Sequence, residues 1–157
     1  MMRNWRLAGS LFGILAAMPG GVVGPVQAQV EQTADGAQQF VLQTLDRSLS
    51  KFAIKTKSNN YWRTAEVAYL AKLERCRSQL NYRYPDAPTP EWNGSIDWSA
   101  LGEVEIVPGA SPSNAVRFVF REQEYRFEFI SSDMATRFAY AATFLRDACD
   151  PTAQTGF

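Results

Sequence analysis

The sequence predicts an α+β domain: a bent antiparallel sheet with one helix packed on it before the strands and another after them. Three observations carry that expectation. Residues 131–150 place Met134, Phe138, Ala141, Ala142, Leu145 and Cys149 at three- and four-residue steps, one stripe of a helix. Ahead of them, residues 115–121 and 125–130 alternate apolar and polar side chains around Glu122-Gln123-Glu124, the pattern of a hairpin. The chain holds two cysteines, Cys76 and Cys149, and in an exported protein two cysteines read as one disulfide stapling the last helix to the sheet.

Taken in order, residues 1–28 read as an export signal. Arg3 and Arg6 form the basic start, Leu7 to Met18 is uncharged and largely apolar, and Val26-Gln27-Ala28 offers small residues at the two places a signal peptidase needs. The apolar run is well short of the ~20 residues of a spanning helix, so no stable membrane anchor is expected after cleavage. Arg3 and Arg6 leave with the signal, taking 16 basic residues to 14 against 16 acidic ones, a net charge of −2. Without basic blocks, a nucleic acid or an anionic membrane is a poor partner. Residues 29–150 then form a single domain and residues 151–157 a polar tail.

Residues 29–36 are polar. Residues 37–49 place Phe40, Val41, Thr44, Leu45 and Leu49 on one helical face and Gln38, Gln39, Gln43, Asp46 and Arg47 outside, with Asp35-Gly36 as the start. Residues 51–57 suit a short strand with Phe52 and Ile54 on one face. Residues 64–74 fit a helix and a strand equally well. From Cys76, alternation of Ser78, Leu80, Tyr82 and Tyr84 with Arg77, Gln79, Asn81 and Arg83 marks a half-buried strand. The prolines of residues 85–94 make a loop, and Asn93-Gly94-Ser95, formally a glycosylation sequon, reads as a turn. Residues 96–107 give two short extended pieces around Ser99-Ala100-Leu101-Gly102, and residues 108–114 a link. In the hairpin, Val116, Phe118 and Phe120 share a face with Tyr125, Phe127 and Phe129. Arg117, Arg121, Arg126 and Glu128 stand on the other and can pair across the strands. Ser131 or Ser132 caps the closing helix, and Pro151 ends it.

A strand opening at cysteine (Leu73-Glu74-Arg75-Cys76, then Leu80-Asn81-Tyr82) is followed by Ile96-Asp97-Trp98-Ser99-Ala100-Leu101. Val116-Arg117-Phe118-Val119-Phe120, Tyr125-Arg126-Phe127-Glu128-Phe129 and a helix with Ala135, Phe138, Ala139, Leu145 and Cys149 come next. This order, over residues 67–150, resembles small bacterial exported domains of unknown function with a pleckstrin-homology-like strand meander and a C-terminal helix. The resemblance implies a half barrel and carries no active residue to this chain. The N-terminal helix and the unsettled number of early strands depart from a standard pleckstrin-homology sheet, so a complete seven-strand barrel is not expected.

Histidine is absent, which excludes Ser-His-Asp and Cys-His catalysis and makes an ordinary zinc site a poor fit. There is no phosphate-cradling Gly-rich loop, and Ser48-Leu49-Ser50-Lys51 matches Ser-x-x-Lys without its partner motifs. No cofactor and no metal is expected. Asp86, Glu91, Asp97, Glu103 and Glu105 are the remaining acid/base stock, with surface solvation as the plain account of them. Tyr61, Trp62, Tyr82, Tyr84, Trp92 and Trp98 gather around the proline-rich segment. Trp98 and Tyr82 sit in strand phase and suit the core; Tyr61, Trp62 and Trp92 suit a surface that meets a ligand. The expectation is a periplasmic or secreted, non-enzymatic binding module for an envelope protein or polymer. The alternatives are a small hydrolase or lyase using a carboxylate pair such as Asp86 and Asp97, or an inhibitor or accessory subunit acting through residues 85–90.

Overall fold

The computed structural model describes residues 33–87, 92–107 and 114–152. The expected export signal (residues 1–28), most of the expected link at residues 108–114, and residues 153–157 of the tail lie outside them. Helix α1 (Ala34–Ser48) leads into β1 (Leu49–Thr56), β2 (Arg63–Glu74), β3 (Arg77–Arg83) and β4 (Trp92–Asp97). One turn of 3-10 helix, Trp98–Ala100, then leads to β5 (Glu103–Val107), β6 (Ala115–Val119), β7 (Gln123–Phe129) and α2 (Ser132–Cys149). The seven strands form one antiparallel sheet in the order β4-β3-β2-β1-β7-β6-β5. This is the curled half barrel the sequence predicts, open at β4 and β5, with a helix before and a helix after.

Helix α1 begins earlier than its apolar spacing suggests because Thr33 caps it: the Thr33 hydroxyl accepts from the Gly36 amide at 3.1 Å, and Asp35 lies in the positive first turn. It also ends earlier, since Leu49 is already extended and belongs to β1. Gln38 departs furthest from expectation. It is fully buried rather than outside, because its amide is turned onto the β2–β3 turn and bonds it. Nε2 donates to Glu74 O at 3.0 Å, Arg77 O at 2.8 Å and Ser78 Oγ at 2.9 Å.

The ambiguous segment is a strand. Its Ala, Glu, Leu and Lys favour helix weakly, but β3 offers it a ladder from Glu66↔Arg83 to Glu74↔Arg77, and strand pairing overrides propensity. Much of β2 faces solvent, which accounts for so polar a sequence. The expected turn at Asn93-Gly94-Ser95 is not one; it lies within β4. A Cβ on Gly94 would stand 2.7 Å from Leu80 O, so glycine there permits the close approach of β4 to β3.

The core sits between the sheet's inner face and the two helices. Phe138 of α2 stacks on Phe118 with ring centroids 5.3 Å apart and meets Phe129 at 4.7 Å, while Phe52 stacks on Phe127 at 5.1 Å. Each such buried ring contributes roughly 1.5–3 kcal/mol of transfer free energy. Ser131 caps α2, its hydroxyl accepting from the Met134 amide at 3.2 Å. Cys76 and Cys149 form the expected disulfide, with Cα atoms 5.6 Å apart at a sequence separation of 73. Closing a loop that long limits the unfolded chain enough to contribute about 4 kcal/mol. Trp98 is a core residue as expected, and its indole donates to the same Ser78 hydroxyl that Gln38 uses.

Candidate functional site

Residues 57–62 turn the chain from β1 into β2. The Asn59 amide bonds Thr56 O at 3.1 Å, the Tyr61 amide bonds Asn59 O at 2.7 Å, and Lys57 N reaches Glu122 O at 3.1 Å. At the exit of the turn, Arg63 donates to Asp86 at 2.8 Å, and its guanidinium lies 3.7 Å from the Tyr84 ring centroid. One arginine thus pins the β1–β2 turn to the start of the β3–β4 connection by an ion pair and a cation–π contact. The hydrogen bond from Arg63 holds the Asp86 carboxyl below the usual carboxylate range.

Alternation along β2 decides which aromatics share a surface. Arg63 is in register with Ile54 and so stands on the inner face, and Trp62, one residue earlier, falls on the outer face. There the Lys55 ammonium lies 6.0 Å from its ring centroid, and Trp62 joins Glu105, Val107, Arg117 and Arg126 in lining a shallow pocket of about 210 Å³. Trp92 pairs with Tyr82 at the start of edge strand β4, on the inner face. Tyr82 is half-buried, edge-on to Phe52 at 6.0 Å and to Tyr84 at 5.7 Å, and burial pushes its phenol up to about 12. Tyr61 and Trp62 therefore share one turn, while Trp92 stands on the opposite face of the sheet from Trp62. All three are exposed (60%, 36% and 54%), but they do not make one flat patch.

The outer face carries an arrangement the sequence only half announces. The register sets Glu105, Arg117, Arg126 and Ala53 side by side across β5, β6, β7 and β1. Arg117 Nε donates to Glu105 at 2.8 Å and its Nη1 approaches Glu124 at 3.4 Å, while Lys55 takes the other oxygen of Glu124 at 3.1 Å. Arg126 does not pair across the strands. Its Nη2 meets Glu128, two residues along β7, at 3.3 Å, and its buried Nε has no partner among the described residues. Arg121 likewise pairs with its neighbour Glu122. Alternation alone points all of these outward; which cation meets which acid depends on the neighbour order of β5 and β1, which hairpin spacing does not contain.

The carboxylate pair fails on geometry. Asp97 accepts from the Ser99 amide at 3.0 Å and the Ser99 hydroxyl at 2.6 Å, capping the 3-10 turn, and its register partner is Arg77. Asp86 lies beyond the opposite end of β3, on Arg63. The five residue steps from Trp92 to Asp97 alone span roughly 17 Å of strand. Glu105 is engaged by Arg117, and Glu91 and residues 88–90 lie outside the described residues. Among the described residues, no group of three or more Cys, Asp or Glu side chains is placed to hold a metal ion. None of their helices is long and apolar enough to cross a membrane.

A second concavity, about 460 Å³, opens between α1 and β2. Strands β1 and β2 pair at only three positions, Phe52↔Ala65 to Ile54↔Arg63, after which β2 leaves β1, and Leu42, Leu45, Val67 and Leu70 line the gap.

No protein-family model and no curated protein matches the chain. Among solved structures, the chain is similar to one described as the PH domain from PfAPH, at 13% identity and a TM-score of 0.47, covering 76% of this chain and 96% of that one. It is also similar to the PH domain from TgAPH, at 13% identity and a TM-score of 0.43, covering 76% of this chain and 99% of that one.

Proposed function

We propose that this protein is an exported, non-enzymatic binding module that works in the periplasm or outside the cell. It engages a protein or polymer of the envelope through the Tyr61–Trp62 turn, with Trp92 as a separate contact on β4. One observation carries the reading: large aromatic side chains stand exposed on a turn whose backbone is fixed at both ends, by Lys57 to Glu122 and by Arg63 to Asp86 and Tyr84. A rigid, exposed aromatic gives contact area at little cost in ordering, which is what a recognition surface needs. Export is supported by the leader-like residues 1–28 and by the one disulfide that uses both cysteines. The absence of histidine and the wide separation of Asp86 from Asp97 weigh against the hydrolase or lyase alternative.

The test is affinity capture from the native envelope with residues 29–157 as bait, mild crosslinking and mass spectrometry, run beside a Tyr61→Ala, Trp62→Ala, Trp92→Ala variant of unchanged thermal midpoint. One dominant partner retained by the parent chain and lost by the variant is the expected result. Equal capture by both, or no enriched protein and no retention on purified envelope polymer, overturns the reading.

A further inference from the structure

We propose that the outer-face pocket beside Trp62 binds a carboxylate carried on a flat apolar body, Arg126 and Arg117 taking the carboxylate and Trp62 and Val107 the body. This rests on the reading of Trp62 as a contact residue and names the ligand class of that contact.

Arg126 gives the first reason. Its Nε is buried yet has no acceptor among the described residues, and its only ion-pair partner there, Glu128, is met by Nη2 at 3.3 Å. Arg126 lines the pocket, and a buried donor without an acceptor is a group that a ligand can satisfy. The register gives the second. Arg117 and Arg126 are directly opposite across β6 and β7, two guanidinium groups brought side by side at the pocket wall. Arg117 is held by Glu105 and Glu124, whereas Arg126 meets Glu128 through Nη2 alone, so Arg126 Nε is the donor this face leaves open. Guanidinium forks match the planar, two-oxygen geometry of a carboxylate.

Charge and shape narrow the class further. Lys55, Arg117 and Arg126 are balanced by Glu105, Glu124 and Glu128, and Glu105 itself lines the pocket. A single negative charge is tolerated in that setting, whereas a doubly charged phosphate meets the carboxylate wall. The volume of about 210 Å³ corresponds to roughly seven water molecules' share of liquid, enough for a carboxylate and most of one ring with the remainder projecting. Trp62 and Val107 supply the apolar walls against which such a ring packs.

The experiment titrates the mature chain, residues 29–157, with benzoate, benzamide and inorganic phosphate by calorimetry, following the indole N–H resonance of Trp62 in parallel. Two peptides ending in phenylalanine, one with a free C-terminus and one amidated, distinguish a chain terminus from a free aromatic acid as the source of the carboxylate. Benzoate or the free-terminus peptide is expected to bind, to shift the Trp62 resonance, and to lose at least tenfold in affinity in Arg126→Gln. Arg126→Lys, which keeps the charge and loses Nε, is expected to lose about as much, and Tyr140→Ala on α2 to lose nothing, all at an unchanged thermal midpoint. Benzamide or phosphate binding as tightly as benzoate overturns the proposal. So does benzoate affinity within twofold of the parent in both Arg126 variants, or no binding of any probe at about 10 mM. If the pocket fails while envelope capture still depends on the aromatics, the carboxylate ligand falls and the binding-module reading stands. If benzoate binds as described but capture does not depend on the aromatics, the reverse holds.

Discussion

Replacing Gln38 by alanine removes a side chain that sequence spacing puts on the surface and the fold puts at full burial. Nε2 bonds two main-chain carbonyls, Glu74 O at 3.0 Å and Arg77 O at 2.8 Å, together with the Ser78 hydroxyl at 2.9 Å. Ser78 keeps a partner in the variant, because Trp98 Nε1 still donates to it at 3.1 Å. The two carbonyls, at a part-buried turn, each lose a bond worth about 0.5–1.5 kcal/mol, and the space vacated by a fully buried side chain costs more. Gln38 Oε1 has no partner among the described residues, so its removal offsets part of that loss. The expected net destabilisation is about 3 kcal/mol, a fall of about 10 °C in thermal midpoint for a domain of this size. Gln38→Leu, which fills the space without donating, should lose about 2 kcal/mol. Guanidinium unfolding of both variants beside Gln39→Ala, an exposed neighbour expected within about 0.5 kcal/mol of the parent, makes the measurement. A Gln38→Ala stability within that same margin refutes the claim that this amide clamps α1 to the β2–β3 turn.

Three further outcomes are expected. Reducing the disulfide, or replacing Cys76 and Cys149 by serine, should cost about 4 kcal/mol, read as a lower denaturant midpoint; an unchanged midpoint contradicts the staple. Gly94→Ala sets a methyl 2.7 Å from Leu80 O, so β4 must shift away from β3, at about 1–3 kcal/mol and with faster amide exchange in the β3–β4 ladder; unaltered exchange rules this out. Burial raises the phenol of Tyr82 to about 12 and that of Tyr125 further, so the folded chain holds these protons more tightly than the unfolded one. The stability from this is present in full below the ordinary tyrosine pKa of about 10 and is lost as pH rises through the folded values. Phenolate absorbance should therefore show a late, unfolding-linked phase that Tyr82→Phe diminishes, and its persistence at full amplitude in that variant is the contrary result.

What was legible in the sequence is what repeats locally. The stripe from Met134 to Cys149 and the alternation from Val116 to Phe129 are set by neighbours three, four or two residues away, and both elements stand where those periods put them. The disulfide needed only a count of cysteines. What escaped depends on partners far along the chain. Gln38 looks like any surface glutamine until Glu74 and Arg77 are brought to it, 36 and 39 residues on. Gly94 sits in a run that reads as a turn because proline and asparagine surround it, and only Leu80 across the ladder explains the glycine. Tyr61, Trp62 and Trp92 read as surface residues and are exposed. Yet the parity of β2 and the pairing of β4 with β3, which divide them between two faces, are tertiary facts. The opposition of Arg117 to Arg126 is implicit in the hairpin, but the unpartnered Nε is not.

The most direct test of the binding-module account places a photo-crosslinking amino acid at positions 61, 62, 92 and 140, one at a time, in the full-length chain in living cells. Tyr140 is a fair control because it is an aromatic residue 72% exposed on α2, away from the turn. The account predicts one shared crosslinked partner from positions 61 and 62, the same partner or its neighbour from 92, and none from 140. Equal crosslinking from 140, or different partners at every position, contradicts it.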